Sequence, residues 1–311
     1  MINIGLLGFG TVSGSFYDLV EENKDKLEKI ADQEIVFRKI LVRDINKYNR
    51  CKNLLTTDKN EIFEDSEINL IVEATGEIDD LAKPIEEALK RGVNVISANK
   101  ALVSKYLENL LKASQESGAK LKFEGAVGGA IPILSNIEKL KAAGDVKKVT
   151  GVLNGTSNFI LNQMEEGLSF EKSLKLAQEK GYAEADPSAD IDGIDTKRKI
   201  NITSSLLFDR FFKENEIETR GIRDIKYEDI KKALAKGKTI KLIGYGDKTG
   251  KIYVRPEEVD KNSILGSLKG GENAIIFDSK NAGEIVIKAA GAGGRETAYS
   301  LVSDLIDIYG K

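Results

Sequence analysis

Residues 3–7 form an apolar run that passes directly into Gly8-Phe9-Gly10 and then into an amphipathic helical pattern reaching about residue 30. A strand that turns through glycine into a helix commits the chain to a βα unit, and such a unit needs partners of its own kind. They follow. Apolar strand patterns recur at 34–42, 70–73, 93–97 and 120–124, separated by helical periodicity at 79–90 and 106–116. Strands alternating with helices predict a parallel sheet covered on both faces. The glycine-rich stretch 125–132 marks the end of this domain.

Beyond it the pattern changes. A strand is expected at 146–153, helices at 157–165 and 169–180, and one long helix at 191–208. Apolar alternations at 239–245, 251–254, 274–278 and 283–289 read as strands of one mixed or antiparallel sheet, and 297–308 as a closing helix. The expected architecture is α/β: an N-terminal Rossmann dinucleotide-binding domain over 1–130, then an α+β substrate and dimerisation domain with a mixed sheet over 131–292. The C-terminal helix, 293–311, is expected to return to the first domain.

Composition removes several classes of function. The formal charge of -3 offers no basic excess for nucleic acid. No apolar run approaches the ~20 residues of a membrane span, and the N-terminus lacks the features of a signal peptide; the expectation is a cytoplasmic protein without nucleic-acid or membrane partners. The single cysteine, Cys51, permits no internal disulfide and reads as a free thiol without a role. The chain contains no histidine. That excludes Ser-His-Asp and Cys-His catalysis and His-ligated zinc, so any proton donor must be Lys, Tyr, Asp, Glu or water.

Glycine at 8 and 10 lets the backbone turn sharply and approach a pyrophosphate, while the helix starting at Thr11 and Val12 offers free N–H groups to it. These residues, with Phe9, are candidate cofactor ligands; Ser13 stands where a third glycine is usual, followed by Gly14. Just past the second strand lie Arg43 and Asp44. Arginine suits the 2′-phosphate of NADP and aspartate the ribose hydroxyls of NAD; the order favours NADP and leaves NAD open. Thr75 and Gly76 close the motif 72–76 at the switch point of the sheet. Lys100 follows the strand 93–97, where a cation is electrostatically misplaced at a helix start unless it has another purpose.

The block 181–199 gathers Glu184, Asp186, Asp190, Asp192 and Asp195 immediately before an apolar helix. Asp195 and Lys199 are i,i+4 neighbours on one helical face. An acidic pocket with one lysine suits a substrate carrying an ammonium group and a carbonyl to be reduced.

At these residues the chain closely resembles homoserine dehydrogenase. The segment 151–160, the block 181–199, Ala98-Asn99-Lys100 and the glycine run 291–294 match that family's signatures in its order, over essentially the whole chain. The resemblance implies reversible hydride transfer between NAD(P)H and L-aspartate 4-semialdehyde, giving L-homoserine in threonine, methionine and isoleucine biosynthesis. It implies Lys199 as acid/base or as the cation beside the carbonyl oxygen, Asp195 as its orienter, and Lys100 as a second catalytic lysine that also touches the cofactor. Thr156, Tyr182, Glu184 and Asp190 would bind substrate, and Gly291 and Gly293 would join the cofactor ligands. A monovalent cation (Na or K) would sit at Glu124, Val127, Gly129 and Ile131. A homodimer formed through the sheet of 239–289, and a short form without kinase or amino-acid-sensing domain, are also implied.

Other readings remain. A short-chain dehydrogenase needs Tyr-x-x-x-Lys; Tyr48–Lys52 falls too early and Tyr227–Lys231 too late. A sensor that binds nucleotide without turnover is opposed by the intact Asp195, Lys199 and Lys100. A dehydrogenase of another amino-acid semialdehyde would be separated by a substrate panel.

Overall fold

The computed structural model describes residues 1–290 and 293–311, and the chain divides into two units, Met1–Gly129 with Gly293–Lys311, and Ala130–Ala292. Each is described by itself.

In the first unit, β1 (Ile2–Leu7) leads into α1 (Thr11–Glu22) and α2 (Lys24–Ala31), then β2 (Ile35–Leu41), β3 (Leu55–Thr56) and α3 (Asn60–Phe63). The second half repeats the pattern with β4 (Leu70–Glu73), α4 (Asp79–Lys90), β5 (Asn94–Ser97), α5 (Lys100–Ser117), β6 (Leu121–Lys122) and the short turn of helix α6 (Glu124–Val127). The strands form one sheet in the order β3-β2-β1-β4-β5-β6, every pairing parallel. The sheet is buried on both faces, which is why β1 and β4 read as continuous apolar runs. The C-terminal helix, Gly294–Tyr309, lays Ala298, Leu301 and Leu305 into the same core as Phe16 and Val20 of α1.

Three elements differ from expectation, each through a side chain that periodicity does not register. The helix expected to run to residue 30 breaks at Asn23, whose Nδ2 donates to the Leu19 carbonyl at 2.9 Å and competes with the helical ladder. Helix α5 starts six residues before the expected 106, because the Asn99 side chain caps it by accepting from the Leu102 N–H at 3.1 Å. The strand expected at 120–124 stops at Lys122, since Glu124 opens α6 and gives its N–H to Asp304 Oδ2 at 3.0 Å.

The second unit runs from the short α7 (Ile137–Lys139) through β7 (Val146–Val152), α8 (Gly155–Glu165), α9 (Phe170–Glu179), α10 (Ser188–Ile191) and α11 (Ile194–Phe208). Then come β8 (Glu218–Thr219), α12 (Tyr227–Ala235), β9 (Lys238–Asp247), β10 (Ile252–Asp260), β11 (Glu272–Ser279) and β12 (Gly283–Ala290). Its sheet has the order β12-β11-β7-β9-β10-β8, antiparallel except for β8 against β10. The long helix expected at 191–208 is two: Gly193, at φ +80, separates α10 from α11 in a conformation that side chains resist.

Helix α11 packs closely on β9: a Cβ added at Gly246 would stand 2.1 Å from Ser204 Oγ and 3.0 Å from Ser204 Cβ, so a side chain there would force Ser204 to shift. The other face of β9 carries Ile243, which packs with Val152, Leu265, Leu268 and Ala274.

Candidate active site

A cleft of about 750 Å³ opens at the carboxyl ends of β1, β2 and β4, where the strand order of the first sheet reverses. In a doubly wound sheet this is where a dinucleotide binds. Gly8, Phe9 and Gly10 line it from β1, Arg43 and Asp44 from β2, and Thr75 and Gly76 from β4. Gly8 holds φ +91, and a Cβ there would stand 3.0 Å from Thr75 Cγ2. Gly10 caps α1 with nothing within 4 Å of where its Cβ would be, and the first turn of α1 carries no acidic residue. These are the features an anion needs: close backbone approach, free N–H groups and an unopposed helix dipole. Arg43 is paired with Glu77, and Lys47 and Lys59 line the same cleft. Thr11 abuts the start of the C-terminal helix, since a Cβ at Gly294 would be 2.4 Å from Thr11 Cγ2; Gly293 caps that helix. Val12, one residue into the turn, is half-buried, and Gly291 lies outside the described residues.

Thr75 is held in place by a buried carboxylate. Glu73, fully buried at the end of β4, accepts from the Thr75 N–H at 2.7 Å, Thr75 Oγ1 at 2.8 Å, Ser97 Oγ at 2.6 Å and Asn99 Nδ2 at 3.3 Å. Burial pushes its pKa up, while the bonds from Ser97, Thr75 and Asn99 push it down. Through these bonds Glu73 fixes Thr75 on one loop and Asn99, next to Lys100, on another. Lys100 is the first residue of α5 and half-buried.

In the second unit the chemistry converges on Asn154. Its Oδ1 caps α8 by accepting from the Ser157 N–H at 2.8 Å. Its Nδ2 donates to Asp190 Oδ1 at 2.6 Å and to Asp195 Oδ2 at 3.0 Å. Asp195 Oδ2 also meets Lys199 Nζ at 3.0 Å, both side chains nearly out of reach of solvent. Lys199 Nζ donates in addition to the Leu153 carbonyl at 2.7 Å. The ammonium is therefore held by a carboxylate one helical turn away and by a backbone oxygen, which fixes its direction. Asp195 stands in the first turn of α11, where the helix dipole favours an anion.

Thr156 Oγ1 donates to the Tyr182 carbonyl at 2.5 Å, and the Tyr182 ring stacks on Phe159 with centroids 4.4 Å apart. The structure thus brings Thr156, Tyr182, Asp190, Asp195 and Lys199 around the start of α8. Glu184 has an exposed side chain, and its carbonyl accepts from Gln178 Nε2 at 3.2 Å.

Glu124, Val127 and Gly129 are buried in the first unit, and Ile131 is buried in the second. The Gly129 carbonyl accepts from Ser300 Oγ. Asp304 beside Glu124 is pushed well above the usual carboxylate range by burial and by the Glu124 charge. Among the described residues no group of three His, Cys, Asp or Glu forms a metal site, and no helix is long and apolar enough to cross a membrane.

Sequence reasoning passed over Asn154, Glu73 and Lys241. Asn154 carried a signal, an Asn at the N-cap position before Gly-Thr-Ser. Glu73 carried a weaker one, an acid inside an apolar strand. Lys241, fully buried on β9, has a pKa pushed down to about 8 by burial.

Two family models match the chain, "Homoserine dehydrogenase, NAD binding domain" over residues 8–124 and "Homoserine dehydrogenase" over residues 132–306. The homoserine dehydrogenase of Lactococcus lactis subsp. lactis is 36% identical over 99% of this chain and 74% of its own length. The crystal structure of a homoserine dehydrogenase from Thiobacillus denitrificans superposes with a TM-score of 0.94 at 34% identity, covering 99% of this chain and 73% of that one. A hyperthermophilic archaeal homoserine dehydrogenase in complex with NADPH gives a TM-score of 0.84 at 26% identity, over 99% and 97% of the two chains. A nucleotide cleft built from backbone, a buried lysine–aspartate pair, and these matches across nearly every residue agree: the chain belongs to the homoserine dehydrogenase family, NAD(P)-dependent oxidoreductases acting on a CH–OH group in amino-acid biosynthesis.

Proposed function

We propose that Lys199 is the proton donor when L-aspartate 4-semialdehyde is reduced to L-homoserine, and the proton acceptor in the reverse direction. The observation that carries this is the buried ammonium held 3.0 Å from Asp195 and 2.7 Å from the Leu153 carbonyl. When bound, NAD(P)H supplies the hydride that reaches the aldehyde carbon. The carbonyl oxygen then develops alkoxide charge, and a preorganised ammonium in a dry site stabilises it by a few kcal/mol. Lys199 transfers one proton to that oxygen and recovers one from water. Asp195 orients Lys199, and Asn154 ties Asp195 to Asp190.

Asp190, Glu184, Thr156 and Tyr182 hold the polar end of the substrate; the carboxylates suit its ammonium group. Lys100 is a second catalytic lysine at the start of α5. Gly8, Phe9, Gly10, Thr11, Val12, Thr75, Gly76, Gly291 and Gly293 take the cofactor. Arg43, supported by Lys47 and Lys59, favours NADP through the 2′-phosphate. Glu124, with the Val127 and Gly129 carbonyls and Ile131, is the candidate for a monovalent cation, whose charge would relieve the buried Glu124–Asp304 pair. The protein works as a cytoplasmic homodimer joined through the sheet of the second unit.

Lysine is protonated below its ordinary pKa of about 10.4. Oxidation of homoserine needs Lys199 neutral, so its rate rises from neutral to strongly alkaline pH. A flat profile of homoserine oxidation over that range would contradict the role given to Lys199.

A further inference from the structure

Lys241 is a fully buried lysine that the reaction does not use. Its Nζ donates to Asn158 Oδ1 at 2.7 Å and to the Leu268 carbonyl at 2.8 Å. The carboxylates of Glu165 and Glu272 act on it only through space, and burial dominates. Burying an ammonium without a contacting carboxylate is costly, and apolar residues of similar volume often serve stability better. What it holds explains its presence.

Strand β7 pairs with β9 only over Lys148–Gly151, so the first half of β9 extends past the end of β7, and α8 packs on β9. Lys241 fastens that helix through Asn158. Asn158 Nδ2 in turn donates to the Gly270 carbonyl at 2.9 Å and the Glu272 carbonyl at 3.3 Å, while Asn162 Oδ1 accepts from the Gly270 N–H at 2.9 Å. One ammonium thus grips both sides of a joint, α8 and the turn that leads into β11. The turn itself touches the site. A Cβ at Gly271 would stand 2.8 Å from Tyr182 Cε1, and a Cβ at Gly155 would stand 2.9 Å from the Gly271 carbonyl oxygen. Asn154, the N-cap of α8, sits one turn before Asn158, and Thr156 lies between them in the first turn.

We propose that Lys241 is a positioning residue for the substrate site, locking α8 to the 268–272 turn and so setting where Asn154, Thr156 and Tyr182 stand. This rests on the assignment of Thr156 and Tyr182 to substrate binding. Lys241 acts on substrate affinity, and the cofactor cleft of the first unit does not depend on it.

The test uses the full chain and four variants, reading KM for L-aspartate 4-semialdehyde, kcat, the Kd of NADPH by fluorescence, and amide exchange of 268–272. Lys241→Met is expected to raise KM about tenfold, with kcat changed less than about threefold and the NADPH Kd unaltered. Exchange of 268–272 accelerates while that of β7 and β11 stays slow. Asn158→Asp keeps the acceptor for Lys241 but loses the donor to Gly270 and Glu272, and raises KM likewise. It carries the test if Lys241→Met does not fold. Gly271→Ala displaces Tyr182 directly and gives the same KM shift. If Gly271→Ala or Asn158→Asp raises KM and folded Lys241→Met does not, Lys241 positions nothing and the inference falls. An Asn158→Asp that leaves KM and exchange at wild-type values overturns it too. If Tyr182→Ala leaves KM unchanged, it is the reading of Tyr182 that fails, which separates the two.

Discussion

The two units solve their binding problems with different materials. The first builds its cleft from backbone: glycines at 8 and 10, the open end of α1 and the loops after β2 and β4. The second builds from side chains at and near helix starts, with Asn154, Asp190, Asp195 and Lys199 joined in one network. A phosphate is recognised by N–H groups that every residue carries, so its site needs only room and direction. A proton transfer needs one functional group at one place, which requires neighbours to fix it. Damage to the cleft of the first unit should therefore appear as lost cofactor affinity, and damage to the Asp195–Lys199 pair of the second as lost rate.

Apart from removal of Lys199 itself, the largest effect expected is at Asp195. Asp195→Asn keeps the shape and removes the charge that holds Lys199, and kcat should fall about 10²–10³-fold while the NADPH Kd stays within twofold. Steady-state rates beside a binding titration check this; a parallel loss of cofactor affinity would erase the contrast between the units. Gly8→Ala tests the other side. Its φ of +91 and the contact with Thr75 leave no comfortable place for a methyl group. The NADPH Kd should rise about tenfold, with about 1 kcal/mol or more lost in stability, and kcat at saturating cofactor retained.

Much of the first unit was legible because its signals are local. The strand–glycine–helix pattern, the switch-point loops and the parallel order follow from residues near each other in sequence. The second unit was legible at the Asp195–Lys199 pair, where both partners lie on one helix turn. It was not legible at Asn154, whose partners lie 36 and 41 residues away, nor at Lys241, whose acceptors lie 83 residues before and 27 after it. The break at Gly193 was missed for a related reason. The apolar pattern of 191–208 continues through it, and the need for φ +80 arises only where α10 must turn into α11.

The remaining effect concerns stability and leaves the chemistry untouched. The folded-state pKa of Lys241, about 8, lies below its ordinary 10.5. Below both values each state is protonated, and burying the ammonium costs stability. Between pH 8 and 10.5 the unfolded chain binds the extra proton, so stability rises with pH through that window. Denaturant unfolding of the wild type should gain on Lys241→Met by on the order of 3 kcal/mol across it. Parallel curves for the two proteins would show that Lys241 does not carry that shift.

The central claim, that the ammonium of Lys199, oriented by Asp195, moves the proton, is tested most directly by Lys199→Ala. NADPH oxidation with L-aspartate 4-semialdehyde would be followed beside NADPH binding, for wild type and variant. The account predicts that the wild type turns over, and that the variant binds NADPH with wild-type affinity and loses its rate by about a thousandfold or more. A variant that keeps its rate would contradict the account.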